Sequence, residues 1–462
     1  MDMWHAHPAF PALMLFRTPL APLILGPLLQ LGGPLLAEAA MGIAYAVSVV
    51  AFATAAAAFG RRVAVATAAA LLAFPAYGAL FHQISSDPVF ALVYALWTLA
   101  LVRAFNLPTV WRFAVLGVLL VALVLARPGS EILLVFAVAP LLIVRAGWRN
   151  RLVWAGTFLG VSVGLLALWA GYNDARYGSF VVAREGWANV PFYRVFYMDK
   201  LVRPGNGPAS RNLANVIQRD VLSKPPYSTD GLNTTDKFFT LATEHMWEDT
   251  VVAVDRAYGW HSDYAVLRTV SIEAIRRHFR LYVRDVAGAV WDEMRYPYKW
   301  PAVGKRRPPS ALPAARVLAS HPVTVLNTPG RTWWLASTPT GAPPVPARVR
   351  RMTREVARLQ RAVPERSGSP SVARVLNGIS GVYPWASLWM AGALVLIAVR
   401  RPLRAPALFV MIALAMLVIV ETELGEPPVL EYGLPFEPVF ILCLAAGALG
   451  SRRYFEPSRV TT

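Results

Sequence analysis

Residues 110–172 read VWRFAVLGVLLVALVLARPGSEILLVFAVAPLLIVRAGWRNRLVWAGTFLGVSVGLLALWAGY. Three apolar runs stand out: 110–126, 129–145 and 151–172. One turn between them carries a single arginine, Arg127, and the next junction carries Arg145, Arg149 and Arg151. Runs of this length do not serve a soluble core. About 20 apolar residues cross a hydrocarbon layer of roughly 30 Å, with a range of about 17–25. The stretch therefore reads as three membrane spans joined by short turns.

The same pattern extends in both directions. Further candidate spans cover 35–59, 62–82, 88–105, 384–399, 405–421 and 434–450. Residues 19–31 are apolar but hold Pro19, Pro22 and Pro27, so they read as an interfacial or re-entrant piece feeding the first span. The 462-residue chain is 56% hydrophobic and only 16% charged, against about 25% charged in soluble domains. Mean hydropathy is +0.45. Disordered, collagen-like and ordinary cytosolic classes are excluded, and the fold class is an all-α polytopic membrane protein of about nine transmembrane helices with an inserted extracytoplasmic domain.

Arginine placement sets the orientation. Alternate junctions hold Arg61, Arg62, Arg103, Arg112, Arg145, Arg149, Arg151, Arg400, Arg401, Arg404, Arg452 and Arg453; the intervening short segments hold only Arg17 and Arg127. The arginine-rich junctions are expected in the cytoplasm. This divides the chain into an external N-terminal loop and interfacial segment (1–34), six spans (35–172), an extracytoplasmic domain (173–300), a basic proline-rich arm (301–383), three spans (384–450) and a cytoplasmic tail (451–462). Within 301–370 there are twelve Arg or Lys and two Glu. The apolar helix expected near 266–294 is interrupted by six basic or acidic positions from Arg268 to Arg284 and by Asp285, so it is expected on a soluble domain or at the membrane surface.

One cysteine, Cys443, excludes a disulfide framework and a cysteine zinc site. No cleavable signal peptide is expected, since the first 16 residues lack a basic n-region and a cleavage site. The net charge of +18 comes without any zinc finger or helix-turn-helix pattern, so membrane lipids rather than nucleic acid are the expected partners.

Several short stretches add a family resemblance. Phe16-Arg17-Thr18-Pro19-Leu20-Ala21-Pro22-Leu23 is similar to an "RTPxYPLxL" stretch, Ser85-Ser86-Asp87-Pro88-Val89-Phe90 to the acidic start of a later span, and Arg127-Pro128 with Glu131 to an "RPEG" turn. Asn173–Phe180 resembles "N-x-x-x-x-G-x-F", Glu273–Val283 resembles a helix of bacterial members, and Leu434–Pro438 resembles "LPxEP". In this order they resemble the GT-C superfamily of polyprenyl-phosphate-sugar glycosyltransferases, in its protein-mannosyltransferase, aminoarabinose-transferase and Rgt-like branch. The resemblance implies inverting sugar transfer from a polyprenyl-phosphate-sugar donor to a glycan, lipid or protein acceptor at the extracytoplasmic face of the cell membrane. It also implies a first helix ahead of the first external loop, which is expected to be missing from these residues.

The chemistry asks for a base and a cation. The resemblance places the base in the first external loop, where Asp2 is the only acid before Arg17; an untethered terminus is the competing reading. Arg17 and Arg127 suit a phosphate bidentately, or snorkel to headgroups. Asp87 and Glu131 suit acceptor hydroxyls or a cation, or cap the helices they begin. No ligand cluster has diagnostic spacing, so no cofactor is required and a divalent cation stays open. The aromatics of 187–197 and 291–300 suit sugar stacking, with an interfacial belt or a domain core as the plainer reading. The alternative to an enzyme is an inactive scaffold of this kind or a transporter.

Overall fold

The computed structural model describes residues 18–295, apart from 83–84, 144–145, 184–187, 224–226, 229–231 and 259–263, together with 386–399, 406–425, 433–450 and isolated positions between 371 and 379. The basic arm at 301–370 lies outside the described residues. The chain is all-α, with no strand among the described residues.

The apolar runs become helices. In chain order these are α1 (Leu20–Ala57), α2 (Arg61–Leu72), α3 (Pro75–Leu80), α4 (Ser86–Asn106) and α5 (Val110–Ala126). A 3-10 helix (Pro128–Val138) runs into α6 (Ala139–Ile143), and α7 (Trp148–Tyr177) follows. After the insert come α14 (Ala386–Val399), α15 (Pro406–Gly425) and α16 (Glu437–Leu449). Three of these, α1, α4 and α7, are long and apolar enough to cross a membrane, and shorter apolar helices fill the rest of the bundle. The fold is that of a polytopic membrane protein.

Expectations change in detail. The run 62–82, expected as one span, is broken before Pro75 into α2 and α3. Residues 20–31 form a helical limb of α1, joined to the main limb at Gly33, whose φ of 66° breaks the helix. Only a residue without a Cβ adopts that conformation freely. The run 129–145, expected as one α-helical span, is instead wound as a 3-10 helix over Pro128–Val138. With three residues per turn, positions i and i+3 eclipse. Ser130, Leu133 and Phe136 accordingly face the core while Val135 and Val138 face outward.

Lipid tails are as apolar as leucine, so these helices are held by close packing more than by the hydrophobic effect. The bundle packs small residues at its crossings. A Cβ on Gly117 of α5 would lie 2.9 Å from the Phe158 carbonyl oxygen and 3.1 Å from Ser162 Oγ, both on α7. Aromatic pairs fill the larger gaps: Phe113 stacks on Trp154 at 5.7 Å and Trp97 meets Phe136 edge-on at 6.0 Å. The Phe113–Trp154 contact sets the beginnings of α5 and α7 side by side, so both helices run toward the same end of the bundle.

At that end α7 stops at Gly178, which adopts the left-handed conformation (φ 70°, ψ 29°). Asn173 then turns the chain back by donating from Nδ2 to the Val181 carbonyl at 2.7 Å. The insert that follows has its own core. It contains a short α8 (Val190–Tyr193) continued by a π turn (Arg194–Met198), then α9 (Pro208–Asp220), α10 (Thr235–Leu241), α11 (Glu244–Tyr258) and α12 (Ala265–Arg277). Phe192, Phe196, Phe238 and Phe239 are fully buried in it. Of the aromatics considered for sugar stacking, Phe192 and Phe196 are therefore core residues. In an aqueous domain each such ring contributes on the order of 2–3 kcal/mol by burial.

The helix expected near 266–294 is two helices. It breaks at His278 (φ −122°, ψ 32°) into α12 and α13 (Phe279–Arg295). α12 packs on α9 inside the insert, whereas α13 packs on α14 and α15 of the bundle.

Candidate functional site

Three charged positions singled out from sequence gather where α4 begins and α5 ends. Ser85 caps α4: its Oγ accepts from the Asp87 N–H at 3.2 Å and donates to Asp87 Oδ2 at 3.0 Å. The cap is thus Ser85, not Asp87, and the second Asp87 carboxylate oxygen, Oδ1, is left for another partner. At the end of α5 the backbone of Arg127 becomes extended (φ −142°, ψ 114°) ahead of Pro128. The residue before a proline is pushed out of helical conformation in this way. That turn aims the guanidinium at Asp87, with which it forms an ion pair and a hydrogen bond. The guanidinium also lies over the Phe90 ring, 4.6 Å from its centroid. Both side chains are nearly covered, Arg127 at 12% and Asp87 at 11% exposure.

This is a fixed guanidinium. Its plane is set by a carboxylate on one side and a ring face on the other, and Arg presents five N–H donors in a rigid fork. Glu131 follows in the first turn of the 3-10 helix, half-buried. Ser130 beside it is fully buried, its hydroxyl without a hydrogen-bond partner among the described residues.

Two further elements reach the same end. Phe436 packs edge-on against Phe90 and Tyr94, at 5.8 and 5.3 Å between ring centres. It brings Glu437, the first residue of α16, to this face. Glu293 of α13 lies against Gly433, where a Cβ would come within 2.7 Å of its Oε1. The insert is thereby joined to the bundle at the end that carries Asp87 and Arg127.

A second pair was not singled out from sequence. Glu38 of α1 pairs with His82 Nδ1, which follows α3. Both side chains are substantially exposed, at 44% and 67%. Glu38 lies nineteen residues before Ala57, about 28 Å along the helix at 1.5 Å per residue, which matches a bilayer boundary. The signal available was a lone acid inside an otherwise apolar run.

Of the other expected site residues, Asp2 and Arg17 lie outside the described residues. Among the described residues no three His, Cys, Asp or Glu side chains come together in a way that would hold a metal ion.

No protein-family model matches the chain, and no curated protein matches it in sequence. Among solved structures, the crystal structure of ArnT from Cupriavidus metallidurans in the apo state is similar over 94% of this chain and 67% of that chain, at 15% sequence identity and a TM-score of 0.29. A likeness of that extent transfers no residue assignment.

Proposed function

We propose that the chain is a membrane glycosyltransferase that moves one sugar from a polyprenyl-phosphate donor to a hydroxyl acceptor at the extracytoplasmic face. The observation that carries this reading is the covered Arg127–Asp87 pair at one end of an apolar bundle, seated on Phe90 and adjacent to Glu131. A phosphate leaving group needs a cation whose position does not have to be organised during reaction. Arg127 is held in that way, and Asp87 and Phe90 are its positioning residues.

In the proposed reaction the acceptor oxygen attacks the anomeric carbon and the bond from that carbon to the phosphate oxygen breaks. The acceptor proton passes to a carboxylate, and the polyprenyl phosphate leaves as an anion held by Arg127, with Arg17 as the second cation. Asp2 is the proposed proton acceptor, and Glu131 is proposed to meet the acceptor hydroxyls, Asp87 being committed to Arg127 and Ser85. No nucleotide takes part, because the lipid-phosphate linkage is already activated. The extracytoplasmic side follows from the arginine asymmetry of the junctions. A transporter is disfavoured by the described spans themselves. Their ionisable residues sit at helix ends, as with Asp87, Arg103, Arg112, Asp174 and Glu437, or, for Glu38, five residues past the kink of α1 at Gly33.

The test is a comparison of cell-envelope glycans between wild type and a deletion strain, followed by complementation. A missing or truncated glycan in the deletion, restored by the wild-type gene, is expected. Arg127→Ala is expected to lose about 10²–10³ in transfer rate. An unchanged glycan profile in the deletion refutes the enzyme reading, and full rescue by Arg127→Ala removes that residue from it.

A further inference from the structure

We propose that the outward face of α13, with the end of α12 before it, is a docking surface for the anionic lipid headgroups of the leaflet at the Asp87 end of the bundle. The inference rests on the membrane architecture alone and stands whether or not the chain transfers sugars.

The two faces of α13 have different surroundings. Its inner face joins the bundle: Met294 is buried in the bundle core and Val290 packs against it. Those neighbours belong to α14 and α15, which are apolar membrane helices. The C-terminal end of α13 is therefore tied to the rim of the bilayer. Its outer face leaves Phe279, Val283 and Trp291 exposed, at 61%, 47% and 57%, with Ala287 also exposed between them. Positions spaced by four residues drift by about 40° per step, so these four form one slanting stripe along the helix.

A stripe of Phe, Val and Trp facing water is a poor surface for a monomer. It becomes a good one at a headgroup boundary, where tryptophan and phenylalanine settle. The charge on its flank agrees. Arg276 and Arg277 end α12, and Arg280 and Arg284 follow the stripe; all four are exposed. Among the arginines the acid is Asp285, which pairs with Arg284 at 2.9 Å, and exposed Asp292 follows Trp291 at the far end. From Arg276 to the end of α13 at Arg295 there are five arginines against three acids, Asp285, Asp292 and the buried Glu293, with the excess of arginine at the Phe279 end of the stripe. Apolar side chains with flanking arginine, on a helix already fastened to membrane helices, describe an anionic lipid surface better than a protein partner.

Cys443 is buried and is the sole cysteine of the chain, so a Cys443→Ser background accepts single labels. A nitroxide at Val283→Cys, in full-length protein in nanodiscs, reads collisions with oxygen, which favours lipid, and with a water-soluble nickel chelate. In discs containing phosphatidylglycerol the nickel-to-oxygen ratio is expected to fall severalfold relative to pure phosphatidylcholine. Raising salt from about 0.1 M to about 1 M shortens the Debye length from about 10 Å to about 3 Å, and is expected to reverse much of that fall. The fourfold Arg276, Arg277, Arg280 and Arg284→Gln variant should lose the dependence on phosphatidylglycerol. Free nickel access in both lipids overturns the proposal. Exclusion of both quenchers overturns it in favour of a protein occupant. Insertion that is equal in both lipids and indifferent to salt overturns the headgroup part.

Discussion

The start of α9 is held by a carboxylate from another helix, and a double-mutant cycle between Gly207 and Glu273 tests how. Helix α9 starts without a side-chain cap of its own, since its N-cap is Gly207 and its first residue is Pro208. Glu273 reaches across from α12 to do this work. It accepts from the Ala209 N–H at 3.0 Å, the Ser210 N–H at 2.8 Å and the Ser210 hydroxyl at 2.7 Å. A missing N-cap costs about 0.5–2 kcal/mol, and hydrogen bonds to a charged group are worth about 1.5–3 kcal/mol each. The carboxylate is half-exposed and water competes for it, so Glu273→Ala is expected to cost about 2 kcal/mol in all. Gly207→Ala should cost nearly the same by a different route. The Gly207 backbone is extended (φ 176°), which alanine adopts freely, but a Cβ there would lie 2.3–2.6 Å from the Glu273 carboxyl group. The carboxylate must move and leave its three donors. The double variant should then cost no more than either single one. Hydrogen exchange of the α9 amides in full-length protein reads this directly: about 2 kcal/mol is roughly 30-fold faster exchange. Additive losses in the double variant, or a silent Gly207→Ala, would refute the reasoning.

Three other expectations follow from described contacts. Removing Asp87 alone should cost about 3–5 kcal/mol by leaving a covered guanidinium unpaired, whereas Asp87→Leu with Arg127→Met should recover most of it in thermal unfolding; equal losses in both would contradict a buried pair. Acidification should loosen the insert. Burial acts to raise the Glu273 pKa, but the hydrogen bonds from Ser210 and Ala209 outweigh it and hold the group below its ordinary value. Burial, with Arg203 and Arg277, pushes His278 down as well. Both groups bind protons more readily unfolded, so their stability is present above the unfolded pKa values and is lost as pH falls through the folded ones. Exchange protection of α9 and α12 that is constant from neutral into the carboxylate range would overturn this. Finally, in the Cys443→Ser background, Ser228→Cys should react with an impermeant maleimide from outside intact cells and Arg149→Cys should not; the opposite pattern would invert the orientation.

Hydropathy located the helices of the bundle because span-length apolar runs leave a chain few other options in lipid. It did not distinguish a 3-10 helix from an α-helix at 129–145. A run that is apolar at nearly every position offers either winding an apolar face, and the choice depends on packing against α5 and α15. The break at His278 was hidden for a related reason, since the sequence from Arg268 to Asp285 holds no glycine or proline to mark a stop, and the need to serve two cores divides it. The charged residues were legible singly and not as partners. Asp87 reads locally as a helix-start acid and Arg127 as a turn cation; their pairing across forty residues is tertiary. Glu38 was missed because a lone acid scarcely changes the average of an apolar run. His82, forty-four residues away, supplies the reason for its presence.

The 3-10 helix has a bearing on thickness. A bilayer measures its spans in ångströms, while a sequence reader counts residues. The eleven residues from Pro128 to Val138, at about 2.0 Å each, and the five of α6, at about 1.5 Å each, reach about 30 Å together. Wound as an α-helix, the same sixteen residues would reach only about 24 Å, and the hydrocarbon core would have to thin or the flanking Arg127 would be drawn below its surface. The stretched winding lets a short segment cross at full depth and leaves the cation at its mouth level with Asp87.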